Sequence, residues 1–309
     1  MVRLRLCENM RAFGYAPFYV ALAQGHFAQA GIEVDLITSP SASRTGAMLL
    51  EGAADVSWGG PMRVMMHHQA DPECPLVCFA QIVARDPFVL VGRTPNLQFR
   101  FHDLLGLRVA VANEVPTPWL TFQDDLARAG IDPSSLHRTP DGSMAASAAA
   151  LLAGEADVVQ VFEPHVDLLV AAGCHIWHRF SDRGDIGYTT FYTTRAFAAG
   201  QREACRRLVQ AMAAAQHAFH AATTEDIAAT IAPFFPTFDQ AVMARIVRGY
   251  RDAGLWARTP ALPVTAFMRL KAALVSGGLI DRDIPFDRIV DAGLSRAETG
   301  PLTTRHKDA

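Results

Sequence analysis

Leu49-Leu50-Glu51-Gly52-Ala53-Ala54-Asp55-Val56 is answered further along the chain by Leu151-Leu152-Ala153-Gly154-Glu155-Ala156-Asp157-Val158, and six of the eight positions are identical. The likeness extends backwards. RLRLCENM (3–10) opens the first unit and LRVAVANE (107–114) opens the second. A helix-like stretch ending in Gln29-Ala30-Gly31-Ile32 corresponds to one ending in Arg128-Ala129-Gly130-Ile131. After Asp55 and Asp157 each copy runs through a short apolar strand to a proline, Pro61 or Pro164. Two units of about 60 residues therefore share the order strand, helix, strand, helix, strand. A long period seen only twice does not make a solenoid, which stacks several repeats. It fits two α/β lobes facing each other across a cleft.

The bulk composition agrees. A chain of 309 residues suggests two domains. Half its residues are hydrophobic and its net charge is −3, with acids and bases interspersed. Nothing favours nucleic acid as a partner. No apolar run reaches the roughly 20 residues of a membrane helix, so membrane insertion is not expected. The first residues enter a strand directly, without a basic and apolar leader. As written the chain reads as cytoplasmic, and as periplasmic if a signal or anchor was removed. Five cysteines, an odd and sparse set, make a disulfide framework unexpected. The pair Cys74 and Cys78 is a weak metal or disulfide signal beside an ordinary structural reading.

Alternation places strands at 3–8, 32–37, 55–58, 76–83 and 88–92 in the first part. Pro17 opens a helix that runs to about Ala30 and is stopped by Gly31. Helices follow at 45–51 and from Pro61 to about Gln69. The second unit repeats the order: strand 108–112, helix 118–129, helix 143–153, strand 158–162, helix 164–172 and strand 174–177. An extended segment, 187–194, returns toward the first lobe. Beyond Arg195 the chain reads as helices at 202–223, 224–231, 238–253 and 263–277, with a short one near 286–292 and a polar, frayed tail at 298–309. Alternating strands and helices predict mostly parallel sheets covered on both faces. One lobe comprises 1–86 plus 194–309 and the other 87–193, with two crossings as a hinge. Ligands of such sheets bind beyond the carboxyl ends of the strands, and a hinge lets the two edges close on a small molecule.

In this arrangement the chain resembles type II periplasmic solute-binding proteins of ABC importers for taurine, alkanesulfonates, nitrate and thiamine-pyrimidine precursors. The residues that carry the resemblance are Ala16-Pro17-Phe18-Tyr19-Val20-Ala21 with Gly25-His26-Phe27, Gly31-Ile32-Glu33-Val34, the stretch from Leu50 to Val56 with Gly59-Gly60-Pro61, Asp103-Leu104-Leu105-Gly106-Leu107-Arg108-Val109-Ala110, and Gly254-Leu255-Trp256-Ala257 with Gly277-Gly278. It covers residues 3–295. It implies a monomeric, non-enzymatic protein that needs no cofactor, binds a small molecule between its lobes and delivers it to an ABC permease and ATPase. Enzymes share this fold, and the chain departs from two of them. A pyrimidine synthase relative has a cysteine-rich run before its last crossing strand and a lysine after the strand matching 55–58. Here those places read Gly187-Tyr188-Thr189-Thr190-Phe191-Tyr192 and Gly59. A sulfinate desulfinase relative has a nucleophilic cysteine in its first loop, where this chain has Asn9–Gly14.

Candidate ligand contacts follow from position. Gly59 and Gly60 allow close backbone approach before a helix N-terminus, or simply make a tight turn. Trp58 could stack on a flat ligand or pack in the core. Thr117, before Pro118, is placed to cap its helix, and in similar proteins this spot grips an anion. Glu163 stands at the expected cleft mouth. It could accept hydrogen bonds from ligand amino groups or simply favour the helix dipole. Asn9, Tyr15 and Phe18 sit at the first loop and helix start. Alternation puts Tyr188 and Tyr192 on one face of the returning strand and Phe191 on the other. Arg11, Arg63 and Arg85 are candidates to pair with an anion, or ordinary surface residues. Adjacent helical histidines, His67 and His68, do not share a face, and no metal site is expected. Two ligand classes remain open, a flat nitrogenous pyrimidine precursor and a sulfonate or carboxylate. A cytoplasmic enzyme of the same fold (a decarboxylase, lyase or pyrimidine-forming activity) and a cytoplasmic ligand sensor are the alternative readings.

Overall fold

The repeated octapeptide forms the same structure twice. The structure is a computed structural model that describes residues 1–295, so the 298–309 tail lies outside it. In the first copy Gly52 ends a helix with φ of 71° and Asp55 follows. Both carboxylate oxygens of Asp55 accept from Arg5, at 2.6 Å from Nη2 and 2.8 Å from the backbone N–H. Arg5 Nη1 also donates to the Gly52 carbonyl at 2.8 Å. In the second copy Gly154 has φ of 77°. Asp157 accepts from Arg108 Nη2 at 2.8 Å and from its N–H at 2.9 Å, and Arg108 Nη2 donates to Gly154 O at 2.7 Å. The glycine supplies the left-handed turn, and the aspartate clamps the next strand to the first by a bidentate pair. Bonding to Arg108 holds the Asp157 carboxyl down at about 2.

The clamped strands build two five-stranded sheets. The first contains β1 (Val2–Glu8), β2 (Ile32–Thr38), β3 (Val56–Gly59) and β4 (Leu76–Val83). The second contains β5 (Val89–Gly92), β6 (Arg108–Ala110), β7 (His137–Arg138), β8 (Val158–Val161) and β9 (His175–Arg179), and β10 (Thr189–Thr194) returns to the first. The orders are β2-β1-β3-β10-β4 and β7-β6-β8-β5-β9. β1 is parallel to β2 and β3, and β6 to β7 and β8. β10 is antiparallel to both its neighbours, as is β5. The expected parallel sheets thus each carry one reversed strand. It is the strand that arrives from the other sheet. Such a strand enters from the cleft, where the parallel strands end, and must run away from it. β7 has only two residues and escapes any periodicity argument.

One predicted helix divides. Gly25, with φ of 72°, breaks 17–30 into Ala16–Ala23 and His26–Gln29. The helices Arg202–Ala221, Thr224–Ile231 and Gln240–Asp252 pack on the first sheet and share its core with Phe18, Trp58 and Phe191. The second sheet has its own core. A third cluster joins Val264–Ser276 to β4, β10 and Leu120 of the helix Thr117–Arg128. There Leu120 Cδ2 lies 2.5 Å from where a Cβ on Gly277 would stand, so the C-terminal helix seats directly on the second unit. All five cysteines are buried and free, including Cys74 and Cys78.

Candidate functional site

Between the sheets lies a cavity lined by the segments that leave their strands. Asn9 and Met10 follow β1, Gly60 follows β3, Val115 and Thr117 follow β6, and Phe162 follows β8. Pro87 and Phe88 come from the first crossing and Tyr188 and Thr189 from the second. This is the strand-end location that such sheets offer to ligands. The cavity measures about 50 Å³, far below the roughly 300 Å³ of a small-molecule pocket. An organic ligand needs more room than this conformation provides.

The walls are mostly apolar with a few neutral polar groups, and the one charged residue among the described lining is a cation. Arg63, in the first turn of the helix Pro61–Ala70, is 8% exposed and lines the cavity. It has no carboxylate within salt-bridge distance among the described residues. Arg11 instead bonds Glu8 at 2.6 Å and Arg85 bonds Asp185 at 2.9 Å. A Cβ on Gly59 would lie 2.5 Å from Arg63 Nη1, and one on Gly60 would lie 3.1 Å from the Tyr188 carbonyl. The glycine pair therefore seats the guanidinium and the returning chain, and Gly60 alone lines the cavity. The Tyr188 hydroxyl is buried without a hydrogen-bond partner among the described residues. Burial, and then nearby Asp86, pushes its pKa well above the phenol value, so it stays protonated and able to donate. Asn9 Nδ2 donates to the Tyr15 hydroxyl at 2.9 Å, and both residues line the cavity. Thr117 is the first residue of its helix rather than its cap, which is Pro116, and makes no capping bond. It too lines the cavity.

The remaining sequence candidates sit elsewhere. Phe18 and Trp58 stack at 4.1 Å with a 13° interplanar angle, and Phe191 packs edge-on against Phe18 at 5.2 Å. All three are fully buried in the first core. Tyr192 is fully buried on the opposite face of β10 and donates to Thr45 Oγ1. Alternation separated Phe191 from Tyr192 as expected, but both faces of an interior strand are covered, so neither meets the cavity. Tyr188 precedes the strand and escapes that burial. Glu163 is turned away: its Oε2 accepts the Asp167 N–H at 2.9 Å, and its own N–H donates to the Tyr250 hydroxyl at 3.1 Å. Tyr250 also lines the cavity. It comes from a C-terminal helix whose pattern signals only packing, so nothing in the sequence pointed to it. Phe88 and Phe162 lie at strand boundaries and carried no signal beyond apolarity.

Burial raises the Glu163 carboxyl to about 7. A carboxyl with a folded value above its unfolded value of 4.5 favours the folded state when protonated. Stability is lost as pH rises from about 4.5 through 7 and stays reduced above it. Glu163→Gln, which cannot ionise, should flatten that loss and be more stable than the parent at pH 8.5 by a few kcal/mol, on the order of 3. Urea unfolding at pH 5 and pH 8.5 measures it. Equal differences at the two pH values refute the assignment.

Comparison with known proteins bears on this geometry. The family model described as NMT1/THI5 like matches residues 12–225, more than half of the chain. The chain belongs to the NMT1/THI5-like family. As a family member it is 24% identical over 302 residues to the "Putative binding protein YtlA" of Bacillus subtilis (strain 168), covering 97% of this chain and 90% of that protein. The periplasmic aliphatic sulphonate binding protein SsuA of Escherichia coli superposes with a TM-score of 0.76 at 16% identity, over 94% of this chain and 97% of that one. The desulfurization enzyme DSZB superposes with a TM-score of 0.69 at 14% identity, over 96% and 98%. The family fold thus carries both binding and catalysis. Two features of this member bear on the choice. None of its five cysteines lines the cavity, and burial raises the thiol pKa of each. Among the described residues no group of three or more His, Cys, Asp or Glu is placed to hold a metal. No helix among them is long and apolar enough to cross a membrane.

Proposed function

We propose that this chain is a solute-binding protein that captures a small organic anion, a sulfonate or carboxylate with an apolar body, and delivers it to an ABC permease in the periplasm. The observation that carries the reading is Arg63. It is 8% exposed, lines the cavity and has no carboxylate partner among the described residues, and an anionic ligand would supply that partner. The Tyr188 hydroxyl and Thr117 add donors beside it. Tyr15, Phe88, Phe162 and Tyr250 would enclose the apolar body. The E. coli sulphonate-binding protein of the same fold supports the class. The pyrimidine-precursor reading relied on Glu163, whose carboxylate is turned to the helix behind it. An enzyme reading finds no thiolate at the cavity.

A thermal-shift series tests the proposal, because a ligand that binds only the folded protein raises its melting point. Short alkanesulfonates and aromatic carboxylates should raise Tm, whereas neutral aminopyrimidines should not. A shift from aminopyrimidines alone, abolished by Glu163→Gln, would restore the pyrimidine reading and remove this one.

A further inference from the structure

Behind the hinge, away from the ligand cavity, lies a second and larger cavity of about 460 Å³. Its wall carries three arginines, Arg85, Arg251 and Arg258, together with His220 and Thr259. The one acidic residue in that wall is Asp185, and it is already bonded to Arg85 at 2.9 Å. Arg251 spends Nη2 on the Phe219 carbonyl, and its Nε is buried without a partner among the described residues. Arg258 is exposed and forms no salt bridge among the described residues. The arrangement is held in place from behind. Gly254, with φ of 65°, leaves room for the Arg85 guanidinium, whose Nη1 lies 3.1 Å from where a Cβ would stand. Burial holds the His220 imidazole below its usual value, against the opposing hydrogen bond to the Ala257 carbonyl, and Arg258 and Arg251 add to the lowering.

We propose that this cavity is a second ligand site, for a small multivalent inorganic oxyanion of the phosphate class. Three guanidinium groups against one half-spent carboxylate leave a positive excess that an anion would pair with. Guanidinium forks match the paired oxygens of phosphate and carboxylate. The site also touches both crossings. Arg85 belongs to the first and Asp185 to the second, and the Ala84 carbonyl between them accepts Ile186 N–H at 2.8 Å and Gly187 N–H at 3.0 Å. An anion bound there bridges the two hinge segments and the loop that carries Gly254 and Arg258.

Isothermal titration of the full chain with inorganic phosphate and with pyrophosphate, at ionic strength matched with sodium chloride, tests the site. Pyrophosphate should bind more tightly than phosphate because it presents more charge and more paired oxygens to the guanidinium forks. Arg258→Ala, at an exposed position that leaves packing intact, should weaken both at least tenfold. Arg63→Gln, in the ligand cavity, should leave both unchanged. Weakening by Arg63→Gln but not by Arg258→Ala would place the anion in the ligand cavity and overturn the proposal. Absence of saturable binding to the parent chain, or equal loss in sodium chloride alone, would overturn it too. Neither result touches the function proposed for the ligand cavity, which rests on organic sulfonates and carboxylates.

Discussion

Arg63→Gln should abolish binding of organic sulfonates and carboxylates while leaving the empty protein at least as stable as its parent. The two halves of this expectation come from the same fact. Arg63 is 8% exposed and pairs with no carboxylate among the described residues. In the ligand-free chain it makes no ion pair among the described residues, so a neutral amide of similar reach breaks no such pair. In the complex the cation faces the ligand's anion in a closed, water-poor cavity. Removing one partner of such a buried pair costs about 2–5 kcal/mol, which is roughly 30- to 4,000-fold in affinity. Gly59→Ala should act in the same direction more weakly, since its new Cβ would stand 2.5 Å from Arg63 Nη1 and force the guanidinium aside. Titration calorimetry with an alkanesulfonate, paired with urea unfolding of the unliganded protein, reads both effects. Loss of affinity with an equal loss of stability would make Arg63 a structural residue. Unchanged affinity would remove the anionic-ligand reading.

The sequence made the framework legible because the framework is periodic. Leu49–Val56 and Leu151–Val158 predicted two like units, and the glycine and aspartate they share form matching turns and clamps. The partners of those clamps, Arg5 and Arg108, stood in the quoted openings, but two equivalent arginines announce nothing until the strands are adjacent. Helix and strand positions followed from apolar spacing, apart from β7, too short for any period, and the break at Gly25. The site was less legible because exposure depends on which face a neighbour covers. Trp58, Phe18 and Phe191 carry the aromatic character of a ligand slot, yet helices from the far C-terminus cover them. Tyr250 reaches the cavity from one of those helices. No local pattern assigns it there, since the contact joins residues remote in sequence. Arg63 was one of three arginines of equal standing, and only the partners of Arg11 and Arg85 single it out.

The same logic of pairing applies, with the opposite sign, at the hinge. Asp86 is fully buried in the first crossing. It accepts from Arg183 Nη1 at 2.6 Å, from the Phe88 N–H at 3.0 Å and from Thr121 Oγ1 at 3.2 Å. Arg183, just before the second crossing, also bonds Asp125 on the helix Thr117–Arg128. Its carbonyl accepts Arg269 Nη1 of the C-terminal helix at 2.9 Å. One arginine therefore ties both crossings and the second unit through its guanidinium, and the helix Val264–Ser276 through its carbonyl. Where Arg63 lacks an anion in the empty protein, Arg183 is permanently supplied with two.

Arg183→Met should consequently be among the most destabilising single changes outside the apolar cores. It leaves the Asp86 carboxylate buried with hydrogen bonds but no cation, a change that costs about 3–5 kcal/mol. The pH dependence identifies the cause. Burial already raises the Asp86 carboxyl above its ordinary value, and Arg183 is the largest of the groups that oppose the rise. In the variant that value climbs further, so the deficit is largest where the carboxylate of the unfolded chain is ionised, at neutral pH. It shrinks as pH falls toward 4 and Asp86 takes up a proton. The double variant Arg183→Met/Asp86→Asn removes the stranded charge and should recover more than half of the loss at pH 7, a coupling that a double-mutant cycle reads directly. Urea unfolding of the parent, both single variants and the double variant at pH 7 and pH 4.5 makes the comparison. A deficit that is independent of pH and not relieved by Asp86→Asn would mean that the methionine fails through packing. Charge pairing would then not be what fastens the hinge.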